Sequence, residues 1–160
     1  MAFIPATLQA SFQKLSAASQ KLNTASNAFG DAIAGLDEAL NNLNPGVTAW
    51  INVNSSQDEN GSVQEERLGY AKTNGRWGLS LCSVTFPSSQ PDHEEVENSW
   101  LFNDAPRNLR LVAIDHVPAL IHALAKQAEH TADRVAQSAD LALDIARSVN
   151  AAANAKEARR

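Results

Sequence analysis

Apolar residues recur every seven positions along the first quarter of the chain. Leu8, Leu15, Leu22, Phe29, Leu36 and Leu43 occupy every rung. Four residues on from these rungs stand Phe12, Ser19, Ser26, Ile33 and Leu40, and three residues on stand Ala18, Ala25, Ala32 and Ala39. The repeat is helical, and its apolar or small stripe is wider than the two-position seam of a simple coiled coil. It predicts a helix over 5–44, opened at Pro5 and stopped by Asn44-Pro45-Gly46. Proline cannot continue the helical hydrogen bonds, and glycine permits the chain to reverse. A second ladder closes the chain: Ala125, Ala132, Ala139, Ala146 and Ala153, with Ile121, Ala128, Val135, Ala142 and Val149 beside it. That pattern predicts a second long helix over 117–152, followed by an alanine-rich tail, 153–160, expected to fray.

Between the helices the period drops from seven to two. Val47, Ala49, Ile51 and Val53 alternate with Thr48, Trp50, Asn52 and Asn54, the pattern of a half-buried strand. A polar loop ending in Asn60-Gly61 leads to a second strand over about 66–73 and a third over 76–86. Asn74-Gly75 joins these two, and Asn-Gly between alternating runs signals a two-residue hairpin turn, in which both residues need positive φ. Such a turn sets Tyr70 opposite Leu79, Leu68 opposite Leu81 and Lys72 opposite Trp77. The other face is small: Gly69 opposite Ser80, Ala71 opposite Gly78, then Cys82. Small residues there would let a helix, a large aromatic such as Trp50, or a ligand approach the backbone closely. Residues 87–98 read as a solvated acidic loop, after which Trp100-Leu101-Phe102 forms a short fourth strand and completes a β region over 47–103. A short helix over 104–116 takes Asp104 as its N-cap, and Asp115 is placed to cap the long helix beyond a break at Pro118.

The expected fold class is therefore α+β: two long heptad-patterned helices flanking a small three- to four-stranded antiparallel β-meander, with one short additional helix, in a single domain over 1–160. The simplest packing is an antiparallel helical hairpin, a stalk held together along its alanine ladders, with the β head at one end. The alternative is a globule with a bent helix pair across one face of the sheet.

Charge and composition narrow the function. The net charge is −5, and residues 47–118 alone hold ten acidic and five basic side chains. That balance argues against general affinity for nucleic acid or anionic membranes. The single cysteine, Cys82, gives no intrachain disulfide framework and fits a reducing compartment. Met1-Ala2-Phe3-Ile4-Pro5 lacks the basic and apolar regions of a signal peptide, and no stretch approaches the ~20 apolar residues of a spanning helix. The expected location is cytoplasmic.

Catalytic chemistry finds few candidates. His122 and His130 lie eight apart, whereas a metal pair on a helix wants a spacing of three or four. Asp115 and His116 are adjacent and point in different directions on a helix. Cys82 has no basic neighbour in sequence to activate it. The acidic run lacks the pattern of a calcium loop, and Gly69, Gly75 and Gly78 precede no helix that would complete a phosphate loop. The expectation is a non-enzymatic protein with no cofactor and no metal.

Two binding features remain. Arg107, Arg110 and Trp100, with Trp77 and Arg76 on the hairpin, combine guanidinium groups and aromatic faces suited to a small anionic or planar ligand between the head and the helix bases. The wide stripes predict a homodimer interface through Leu8, Leu15, Leu22, Phe29, Leu36, Ala132, Val135, Ala139 and Val149. The expected function is a self-associating interaction module that presents its β head to a partner protein. The alternative is a sensor or sequestering protein for a nucleotide or another small anion.

Overall fold

The computed structural model describes residues 6–157. The chain is α+β: helix α1 (Ala6–Leu43), strands β1 (Ala49–Gln57), β2 (Val63–Thr73), β3 (Arg76–Phe86) and β4 (Glu95–Leu101), helix α2 (Arg107–Ala113) and helix α3 (Val117–Glu157). The strands form one antiparallel sheet in sequence order, β1-β2-β3-β4. Its central hairpin turns at Asn74 (φ 50°) and Gly75 (φ 81°), and this turn sets the register. Tyr70 pairs with Leu79, Leu68 with Leu81, Lys72 with Trp77, Gly69 with Ser80 and Ala71 with Gly78, as the alternation requires.

One face of the sheet carries the core. Leu68, Tyr70, Leu79 and Leu81 lie buried under Ile33 and Leu40 of α1, Leu109 and Ala113 of α2, and Leu120 and Leu124 of α3. Phe102, fully buried, meets Phe29 edge-on at 6.0 Å between ring centroids. Two different neighbours explain the two glycines opposite: Gly78 lies against the Asp37 carboxyl, where a Cβ would come within 3.1 Å of Oδ2, and Gly69 lies under an aromatic. Trp50 lies over Gly69, where a Cβ would come within 2.8 Å of Cζ3 and closer still to Cε3 and Cδ2.

Three polar contacts fix α1 to the sheet and a fourth fixes it to the 3₁₀ turn that follows β4. The Tyr70 hydroxyl donates to Asn41 Oδ1 (2.6 Å), and Asn41 Nδ2 donates to the Trp77 carbonyl (3.3 Å). Asn103 Nδ2 donates to the Gly30 carbonyl (3.0 Å). The Leu79 amide donates to Asp37 Oδ1 (2.6 Å). The last pair between β3 and β4 is Ser80 with Leu101. A carboxylate thus takes the place of a missing strand at Leu79, satisfying an amide that would otherwise stand at an open edge.

Several local expectations change. Glu95–Asn98 belongs to β4 instead of the acidic loop, because Val96 pairs with Val84 and Glu95 with Thr85 beyond a bulge at Ser83/Val84. β1 and β2 each run further toward their connecting loop, where Asp58 Oδ1 accepts from the amides of Asn60 and Ser62. Asp104 does not cap α2. It ends a 3₁₀ turn (Phe102–Asp104), and the cap position is Pro106, without a side-chain hydrogen bond. Nor does Asp115 cap α3. A 3₁₀ turn at Ile114–His116 carries α2 directly into α3, leaving Pro118 in the first turn of α3, where its missing N–H costs nothing. The tail is helical as far as Glu157, so the expected fraying at 153 is not seen there. Pro5 and residues 158–160 lie outside the described residues.

The long helices meet the sheet more than they meet each other: α1 packs on β3 and the turn at Phe102, and α3 packs on β1 and β2. Ala25, Ala32, Ala132 and Ala139 are all exposed, so the alanine ladders do not zip one chain into a stalk. The reason is the layer beneath them. Phe29, Ile33, Leu36 and Leu40 of α1, and Leu120, Leu124 and Ala128 of α3, turn toward the sheet. Among the described residues, no helix is long and apolar enough to cross a membrane.

Candidate functional site

Beyond the sheet both helices continue as arms. Every described residue of α1 up to Ala25, and every described residue of α3 from Ala132, is exposed. At ~1.5 Å per residue these arms extend roughly 30 Å and 40 Å. Leu15 is 60% exposed, Phe12 58%, Val135 63% and Val149 61%, values expected of a helix with nothing packed on it. Leu8, Leu22, Leu141, Leu143 and Ile145 are exposed as well. Phe29 and Leu36, expected in the oligomer interface, are half-buried against the core of their own chain. The free rungs of the ladder are therefore Leu8, Leu15 and Leu22 on the arm, together with Leu43 at the far end of α1. On the other helix Ala132, Val135, Ala139 and Val149 are all free.

Trp77 and Arg76 line two different hollows. Trp100 is half-buried, pairs opposite Leu81 and packs against the core. Trp77 stacks on Tyr70 at 5.6 Å and lines a hollow with Asn41, Asn44 and Gly46. Arg76 lines a separate groove between α1 and the sheet, with Asp37, Glu38, Asn41, Asn103 and Asp104. Arg107 is exposed, and Arg110 is half-buried with a buried Nε that makes no hydrogen bond. Neither hollow includes Trp100, Arg107 or Arg110. The groove at the helix base carries three carboxylates and one guanidinium, which is the wrong balance for an anion.

The electrostatics of that groove centre on Asp37. Burial raises its carboxyl above the ordinary range, outweighing the Leu79 amide and Arg76, both of which pull it down. Sequence reasoning passed over Asp37 and Asn41, the two polar residues of α1 that reach the sheet. The available signal was an acid directly beside Leu36 of the ladder.

Cys82 is buried, and burial pushes its thiol up, away from nucleophilic use. It lies beside Trp50, Arg67, Glu94, Val96 and Ser99. Arg67 is held there by Glu65 (2.8 Å) and Glu94 (2.9 Å) and lies over Phe86 at 5.5 Å. Among the described residues, no three histidine, cysteine or carboxylate side chains gather as a metal site would require. No family model matches the sequence, and neither a curated protein nor a solved structure matches the chain.

Proposed function

We propose that this protein is a non-enzymatic interaction and oligomerisation module, a cytoplasmic homodimer joined through its helical arms that presents its β head to a partner protein. The observation that carries the reading is the pair of uncovered arms, each with an apolar stripe on a helix that its own chain leaves bare. In proteins, helical stability comes mostly from packing an apolar face and less from helix propensity. Contiguous exposed apolar surface on a folded chain marks an interface. The coiled-coil character of the reading rests on the seven-residue ladder in Leu8, Leu15 and Leu22 and on the alanine ladder of α3. The head offers two sheet edges, and the β4 edge carries exposed Glu95, Val96 and Glu97.

The alternative, a small-anion site, draws on one observation, the unpartnered Nε of Arg110. The carboxylate-rich groove beside the helix base weighs against it. Light scattering on the variant Leu8→Gln, Leu15→Gln, Leu22→Gln tests the main reading. The variant should elute as a monomer with its sheet intact by circular dichroism, whereas wild type elutes as a dimer. Identical masses for the two proteins would overturn the reading.

A further inference from the structure

The charges on the arms are spaced as if to meet one another. Along α1, the position just before each ladder rung reads Thr7, Lys14, Lys21, Ala28. Along α3, the position just after each alanine rung reads Lys126, Asp133, Asp140, Arg147. Set side by side, each lysine of α1 falls opposite an aspartate of that α3 column, and the column's two cations, Lys126 and Arg147, fall opposite the neutral Thr7 and Ala28. Lys14, Lys21, Asp133 and Asp140 are exposed and form no ion pair among the described residues. The offset is constant and of the same sense, so the pairing needs parallel helices. Within one chain α1 runs into the head and α3 runs out of it, so arms meeting side by side would be antiparallel.

We propose that each α1 arm lies parallel to the α3 arm of a second copy, with Lys14 facing the partner's Asp133 and Lys21 facing the partner's Asp140. The inference rests on the self-association reading above and names its geometry. In parallel helices, the residue before the seam on one faces the residue after the seam on the other, which is the relation of these lysines to these aspartates. The seam itself then alternates large with small. Leu15 meets the partner's Ala132, Leu22 meets Ala139 of the partner subunit, Ser19 meets the partner's Val135, and Ala25 meets the partner's Leu143. A two-fold axis generates the contact twice, with the heads at opposite ends and each copy's arms entering beside those of the other. Four helix faces, each roughly 30 Å by 10 Å, bury about 1,200 Å², the lower bound for a stable interface. Pairing like arms instead would bring the lysines of two α1 arms, which carry no acid between Thr7 and Ala28, onto one another.

Charge reversal tests this directly. Two variants are made, Lys14→Glu with Lys21→Glu, and Asp133→Lys with Asp140→Lys, together with the quadruple variant, and one double variant is isotopically labelled. At low salt each double variant should dissociate about tenfold or more readily than wild type, since four pairs turn from attractive to repulsive. The difference should shrink as salt rises. Mixing the two double variants should yield predominantly heterodimers in native mass spectrometry, because every facing pair is then of opposite sign, and the quadruple variant should recover wild-type dimerisation. Double variants that dimerise like wild type, or a statistical mixture of species, would overturn the register while leaving self-association standing. A monomeric wild type would overturn both.

Discussion

Adding one methyl group at position 69 tests whether the Trp50 ring is the reason for glycine there. In Gly69→Ala the new Cβ would stand within 2.8 Å of the Trp50 ring, inside van der Waals contact at three ring atoms. Either the ring lifts off or the two strands shift, and overpacking of this kind costs ~1–3 kcal/mol. Against that, replacing a strand glycine by alanine recovers ~0.5–1 kcal/mol of backbone entropy. The net expectation is a destabilisation of roughly 0.5–2 kcal/mol, moderated because Trp50 is 37% exposed and has solvent to move into. Removing the ring removes the clash. On a Trp50→Ala background, Gly69→Ala should be neutral or stabilising by up to ~1 kcal/mol, giving a coupling of ~1–3 kcal/mol across the cycle. Gly35→Ala is the control, since nothing lies within 4 Å of its would-be Cβ. It should gain about 1 kcal/mol as a helix substitution. Urea midpoints followed by far-UV circular dichroism, all at one protein concentration, give the four free energies. If Gly69→Ala shifts stability equally with and without the Trp50 ring, the close approach of that ring is not why glycine is there.

Asp37→Ala should cost about 1–3 kcal/mol by orphaning the Leu79 amide, whereas Asp37→Asn keeps an oxygen acceptor there. Because the folded carboxyl titrates above its ordinary range, its stabilising contribution is full at low pH and is lost as pH rises through the folded value. Asp37→Asn should therefore gain on wild type between about pH 4 and pH 7 in urea midpoints, and the opposite trend would refute the assignment. Tyr70→Phe should lose about 1 kcal/mol with its hydrogen bond to Asn41, which thermal melts would detect. Ala132→Leu, at an exposed position, should leave the unfolding of the head within ~0.5 kcal/mol of wild type. The same change should weaken dimerisation, measured by dilution, because the new side chain would meet the partner's Leu15.

The sheet was the most legible part of the chain. Asn74-Gly75 fixes a hairpin register chemically, and alternation with period two then assigns every side chain to a face. The heptad ladders located both long helices within a residue at the ends that face the sheet. They did not reveal that one ladder serves two environments. Leu15 and Leu36 are equivalent in the repeat, yet Leu36 packs on the head and Leu15 is bare, because the sheet covers only part of each helix's length. A repeat records which face is apolar and not what covers it. Trp77 and Trp100 both point to the helix-bearing face but at different places on the sheet, and proximity in sequence did not bring Arg107 or Arg110 into the hollow beside Trp77. Asp104 and Asp115 looked like caps because capping residues are recognised by type, while Asp104 closes a 3₁₀ turn ahead of α2 and Asp115 lies inside the 3₁₀ turn that carries α2 into α3.

If the arms are bare only in the single chain, concentration must decide whether they are covered. Sedimentation equilibrium across a hundredfold dilution from tens of micromolar tests this most directly. The expected mass is twice that of the 17.1 kDa chain at the upper concentrations, with dissociation on dilution. A single species of one chain mass throughout would contradict it.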